Sequence, residues 1–229
     1  MMTPRRPLRE DIRVQSTTSY NLYGIPILFK DAFVEPVDLN YVINAVEDRV
    51  PRPLFYGIDT IIIGEFEDFV EKSTNAKYEN GSIMVSNQQD DEDDLIDDIV
   101  HEAAHAVEES NPGYLYSDGK IEVEFLGKRK RLFHLLKQEF SGKMDVWAKQ
   151  FMNPEYSRQF DRYLYEVLGY PLLTTLSMGL FVSPYAITSL REYFSTGFEE
   201  YFLKDQNYLK NISPAVYNKI EGLLEDENR

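Results

Sequence analysis

The chain has 229 residues, a net charge of −15 and a pI near 4.6, and it contains no cysteine. The last fact excludes disulfides, thiolate metal sites and a cysteine nucleophile. The acidic field disfavours a phosphate backbone as partner, and no apolar run approaches the ~18 residues of a membrane span. A hydrophobic share of 43% with 14% aromatics is enough for a packed core and argues against a disordered chain.

Residues 1–18 read as a flexible arm, with Pro4, Pro7 and scattered arginines and no apolar segment of a secretory signal. Asp38 is placed to cap a helix over about 39–48, stopped near Pro51. Ile61-Ile62-Ile63 reads as a buried strand. Asn80-Gly81 is a turn signal, and Ser82 to Ser86 reads as a second strand. A helix over about 93–109 follows and ends at Asn111-Pro112-Gly113. In 120–140, Ile121, Phe125, Leu132, Leu135 and Leu136 fit a helical period, while Ile121, Val123 and Phe125 also alternate as in a strand; helix is preferred. Helices are expected over about 142–152, 154–168, 184–194, 196–205 and 214–225, two of them opening at Ser183-Pro184 and Ser213-Pro214. The expected class is α+β: a small twisted sheet packed on the helix of 93–109, then a mostly helical part over 113–229, forming one domain from 19 onward.

That helix carries His101-Glu102-Ala103-Ala104-His105. Four residues apart on a helix, the histidines lie about 40° apart around the axis and ~6 Å along it. Two imidazoles so placed reach one zinc ion, and Glu102 lies where it can take a proton from a metal-bound water. Ile96, Ile99, Val100, Ala103 and Val107 form an apolar back, which predicts an amphipathic helix with a polar catalytic front. With two of only three histidines in the chain at this spacing, a coincidental surface pair is a poor explanation. The pattern predicts a Zn2+ site and hydrolysis of peptide bonds, with a protein or peptide as substrate, no nucleic acid and no membrane.

A catalytic zinc takes a third protein ligand. His134, the remaining histidine, lies away from the apolar stripe of its segment and reads as a surface residue. The motif has no downstream glycine-rich histidine extension, so a carboxylate from a later helix is expected. Glu199 and Glu200 compete. Thr196 followed by Glu199 has the form of a capping box, which leaves Glu200 for the metal and predicts that Thr196 and Gly197 let this helix approach the motif helix closely. A solvated pair of Glu200 with Lys204 is the plain alternative.

A His-Glu-x-x-His helix with a distant glutamate resembles the gluzincin branch of the zincin metallopeptidases. The later segment is similar to the peptidase domains of the anthrax lethal factor type, in which a tyrosine stands seven positions before the zinc glutamate and two aromatics follow it. Tyr193, Glu200, Tyr201 and Phe202 stand in that pattern. The resemblance implies His101, His105 and Glu200 as ligands, Glu102 as general base and Tyr193 as an oxyanion donor. The family's second glutamate, four residues further on, is Lys204 here. The resemblance covers the motif helix and about ten later residues. The chain is also similar in general character to small peptidases of tailed phages, so its expected place is the cytoplasm, or the host cytoplasm or virion for a viral protein.

Other features have plainer readings. The acids from Asp90 to Asp98 suit a helix N-terminus better than a calcium loop, and Asp98 reads as solvated, with orientation of His101 as the alternative. Lys128-Arg129-Lys130-Arg131 reads as a solvated basic face, and Trp147 as core. Ser82 to Ser86 is expected to be the sheet edge that pairs with substrate. Two other functions fit the sequence: a zinc-stabilised structural or interaction module, and a peptidase dedicated to one partner protein. The oligomeric state is not legible.

Overall fold

The structure is a computed structural model and describes residues 20–67, 69, 74–140 and 147–226. The expected arm at 1–18 and the start of the expected helix at 142 lie outside these residues. The fold is α+β, with a five-stranded sheet followed by helices. The chain divides into two compact units, and the division falls between Ala103 and Ala104, inside the motif helix.

The first unit holds β1 (Tyr20–Leu22), β2 (Ile25–Phe29), helix α1 (Leu39–Arg49), β3 (Thr60–Gly64), β4 (Ala76–Glu79) and β5 (Ser82–Ser86). The sheet order is β1-β2-β3-β5-β4, with β2, β3 and β5 parallel and both outer strands antiparallel to their neighbours. Ile61, Ile62 and Ile63 are all buried, so β3 is covered on both faces, which is why its sequence is a continuous apolar run rather than an alternation. Asp38 caps α1 as expected, accepting from the Asn40 and Tyr41 amides. Asn80 and Gly81 turn β4 into β5 with φ of 51° and 79°. This left-handed pair defines a tight hairpin, and at Gly81 an added Cβ would meet Asp59 Oδ2 at 3.1 Å.

The hairpin changes one expectation. Ser82–Ser86 is not an edge: it pairs with β3 on one side and β4 on the other. The edge on that side is β4, whose sequence Ala-Lys-Tyr-Glu alternates for only four residues and is built largely from Ala, Lys and Glu, which are depleted in strands.

The motif helix α2 runs from Glu92 to Ser110. Its expected apolar back is buried, and of the expected polar front Glu102 and His105 are buried while His101 is half-buried. Glu102, His105 and Glu108 are each 7% exposed or less. Such polar groups need partners inside the protein.

The second unit contains α3 (Pro112–Tyr116), α4 (Lys120–Glu139), α5 (Ala148–Phe151), α6 (Arg158–Arg162) running into a π-helical stretch (Tyr163–Leu168), and α7 (Tyr170–Ser177). A 3-10 turn (Tyr185–Ile187) leads to α8 (Leu190–Leu203), α9 (Gln206–Ile212) and α10 (Pro214–Asp226). Helix wins over strand for 120–140 because Ile121, Phe125, Leu132 and Leu136 make one buried stripe. The two helices expected over 184–194 and 196–205 are instead a short turn and one helix from 190.

Two details of this unit correct the sequence reading. Gly197 permits a close approach, but to α10: an added Cβ would stand 2.7 Å from Val216 Cγ1. The basic run is not a solvated face. Arg129 is fully buried between the rings of Phe125, Phe151 and Phe160 and donates to the Gln150 and Asn153 carbonyls. Burial pulls its guanidinium down to about 9. Only Lys130 and Arg131 of the four face solvent. Trp147 is half-buried and stacks on Tyr163 at 3.9 Å.

Candidate metal centre

His101, Glu102 and His105 share one turn of α2, and each has a ligand-type atom within 4.8 Å of the others. It is the one such group of three among the described residues. The helix fixes the relation between the histidines, so their convergence follows from the i, i+4 spacing.

Glu102 Oε2 accepts the backbone N–H of Tyr78. Tyr78 lies in β4, so the general-base candidate touches the main chain of the sheet's edge strand.

His105 is held by a carboxylate that the sequence reading passed over. Its Nδ1 lies 2.7 Å from Glu108 Oε2, one turn along the helix. Glu108 also receives the Tyr116 hydroxyl and, at 3.4 Å, Arg191 Nε. Burial pushes the Tyr116 phenol up, and the Glu108 charge pushes it further. With Glu108 Oε2 on Nδ1, Nε2 is the ring nitrogen left to face outward. That is the arrangement in which a carboxylate fixes a histidine for metal binding.

The group facing Nε2 is Glu192. Its Oε2 lies 3.7 Å from His105 Nε2, and its side chain is 14% exposed. Two ligand atoms on one tetrahedral zinc stand roughly 3.4 Å apart, given bonds of about 2.1 Å. That spacing matches two ligands of one ion on the His105 side, although Glu192 is not among the three residues whose ligand atoms converge.

Glu200, the expected ligand, is elsewhere. It lies eight residues further along α8, and a helix rises about 12 Å over that distance. There Oε1 accepts the Asp205 N–H at 3.3 Å, and burial raises its carboxyl above the usual range. Glu199 pairs with Lys204 at 3.6 Å.

The helix start differs from the expected one, for a local reason. Thr196 does not cap a helix; it lies inside α8, and its hydroxyl bonds back to the Glu192 carbonyl at 2.6 Å. The cap is Ser189, whose Oγ accepts the Glu192 N–H at 3.2 Å. Ser189-Leu190-Arg191-Glu192 has the capping-box form, and it carries the relevant acid in the first turn. The family spacing also occurs twice. Tyr185, Glu192, Tyr193 and Phe194 repeat, eight residues earlier, the pattern of Tyr193, Glu200, Tyr201 and Phe202. Thr196 then stands where the family has its second glutamate.

Tyr193 does not serve as an exposed donor. It is 1% exposed; its hydroxyl donates to Glu124 Oε1 at 2.7 Å and accepts from Lys128 Nζ. Burial, reinforced by Glu124, raises its phenol. Lys128 also donates to Ser213 Oγ at 2.8 Å, and burial brings its ammonium down to about 8. His134 is exposed, as a surface histidine should be.

Asp98 is not solvated. Gln89 Nε2 donates to its Oδ2 at 3.1 Å, and burial pushes the carboxyl up to about 7, with Glu102 adding to the rise and His101 opposing it. The acids ahead of it behave as a helix start, with Asp91 Oδ1 accepting the Asp94 N–H at 3.0 Å.

Comparison with known proteins adds no relative. No family model matches the chain, and neither a curated protein nor a solved structure is detectably similar to it.

Proposed function

We propose that the chain is a zinc-dependent peptidase with a zincin-like fold, in which His101, His105 and Glu192 hold the metal and Glu102 is the general base. The observation that carries this reading is the setting of His105. Its Nδ1 is oriented by buried Glu108, while its Nε2 faces a carboxylate at a spacing suited to one ion. A surface histidine has no reason to be buried, as His105 is, with an orienting carboxylate behind it and a second acid in front.

When bound, zinc supplies a Lewis acid for a peptide carbonyl and makes a coordinated water acidic enough to deprotonate near neutral pH. Glu102 takes the proton of the attacking water on its carboxylate and returns it to the amide nitrogen as the C–N bond breaks. Glu108 keeps the His105 proton on Nδ1 throughout. Main-chain groups of edge strand β4 receive an extended peptide as an added strand, with the Tyr78 N–H released to it when Glu102 turns to the water. Tyr185, seven residues before Glu192 and part-exposed, replaces Tyr193 as the oxyanion donor in this register.

Substrates are proteins or peptides rather than nucleic acid, in keeping with the acidic chain. No helix among the described residues is long and apolar enough to cross a membrane.

The test compares zinc-loaded wild type with Glu102→Gln on a whole-proteome peptide pool, read by mass spectrometry. New termini made by the wild type and absent with Glu102→Gln, at equal zinc content, support the assignment. Equal cleavage by both removes Glu102 as base. No cleavage by either, with a large fall in melting temperature on chelation, makes the zinc structural.

A further inference from the structure

Arg191 stands directly before Glu192 in the first turn of α8. Its Nε donates to Glu108 Oε2 at 3.4 Å, and its side chain is 60% exposed. Glu108 is a shared anchor: the same oxygen meets His105 Nδ1, and the other receives the Tyr116 hydroxyl. The guanidinium is thus tethered through one nitrogen, and neither terminal Nη has a partner among the described residues. Those two nitrogens form the end of a planar fork whose spacing matches a carboxylate.

The position is unusual in a chain of net charge −15. In this chain carboxylates outnumber lysines and arginines by 39 to 24. Here the one carboxylate that engages it is already spent on His105 and Tyr116. Asp161, which senses the Glu192 charge, is occupied by the Tyr156 hydroxyl at 2.9 Å. The fork stays available beside the residue that faces His105.

We infer that Arg191 is a specificity-determining residue: its terminal guanidinium nitrogens bind a carboxylate of the substrate, so that peptides with Asp or Glu beside the scissile bond are selected. The inference rests on the peptidase reading of the same site. It runs against the bulk charge of the chain, which by itself favours basic peptides. A charge-assisted bidentate pair is worth roughly tenfold or more in binding, which exceeds a screened long-range repulsion.

The experiment uses end-blocked peptides that differ at one position only, carrying Glu, Gln or Lys at each place around a cleavage site. Two readouts are taken: relative kcat/KM with zinc-loaded protein, and Kd by fluorescence anisotropy with the Glu102→Gln protein. Wild type should prefer Glu over Gln by roughly tenfold or more at one position. Arg191→Gln should abolish that ratio, Arg191→Lys should retain part of it, and Arg191→Glu should invert it towards Lys. Because Arg191 also braces Glu108, a purely structural role would lower all peptides alike and leave the ratios intact; that result overturns the inference. An unchanged ratio in the anisotropy series overturns it too, even if no peptide is cut. Absence of all cleavage with a carboxylate preference that depends on Arg191 leaves this subsite standing and removes the peptidase reading instead.

Discussion

His105 Nε2 and Glu192 Oε2 lie 3.7 Å apart, on helices far separated in sequence, and both groups are largely buried. A carboxylate and an imidazole at this range either share a proton or share an ion. Glu108 already occupies Nδ1, so Nε2 and the Glu192 oxygen are the pair that face each other. Several outcomes depend on that relationship.

Glu192→Ala should lower zinc affinity by more than about 100-fold, beyond the range typical of an orienting residue. Glu200→Ala should leave it unchanged, because Glu200 is engaged with the Asp205 amide. Competition with a chromogenic chelator measures both. A large loss with Glu200→Ala and none with Glu192→Ala would return the ligand role to Glu200.

Glu108→Gln tests the orientation of His105. An amide can present its N–H to Nδ1 and favour the wrong tautomer, so zinc affinity should fall by about 10- to 100-fold while the fold is kept. Circular dichroism and metal titration on the same sample separate the two effects. Wild-type affinity in this variant would mean that Glu108 only fills space.

Tyr193→Phe distinguishes a catalytic phenol from a buried structural one. The hydroxyl joins Glu124 to Lys128 away from solvent, so its removal should destabilise the protein by about 1–3 kcal/mol and leave turnover per folded molecule near wild type. Tyr185→Phe should show the opposite split, with kcat reduced and stability retained. A collapse of kcat in Tyr193→Phe without loss of stability would restore Tyr193 as the oxyanion donor.

Asp98 gives a pH dependence with a defined sign. Its carboxyl titrates near 3.8 when unfolded and at about 7 in the metal-free fold, chiefly through burial. The folded state therefore holds the proton more tightly. Its stabilising contribution is complete below about pH 4 and is lost as pH rises through 7. Relative to Asp98→Asn, the metal-free wild type should lose up to about 4 kcal/mol between pH 4 and pH 8. Denaturant unfolding of chelated protein at several pH values measures the difference, and parallel curves for the two proteins would refute it.

The His-Glu-x-x-His turn was legible from sequence because a helix is a local structure: the spacing of four residues determines which side chains converge. The same locality made the Asp38 cap, the Asn80-Gly81 turn and the period of 120–140 readable. Edge strand β4 was not readable, because four alternating residues with weak strand preference become a strand only by pairing with β5. The third acid was ambiguous because tyrosine, glutamate and two aromatics recur at an interval of eight residues. Nothing local chooses between the two registers except the helix start, and Ser189 competes for that role with Thr196.

Sequence by itself determined the His-Glu-x-x-His turn, the absence of thiol chemistry and the α+β class. Each depends on composition or on spacing within one element. Tertiary structure decided that Glu192 faces His105, that Glu108 stands behind it, and that Tyr193 and Arg129 are interior. The physical reason is burial: which carboxylate meets an imidazole, and which charge is withdrawn from water, depends on neighbours brought together from distant parts of the chain.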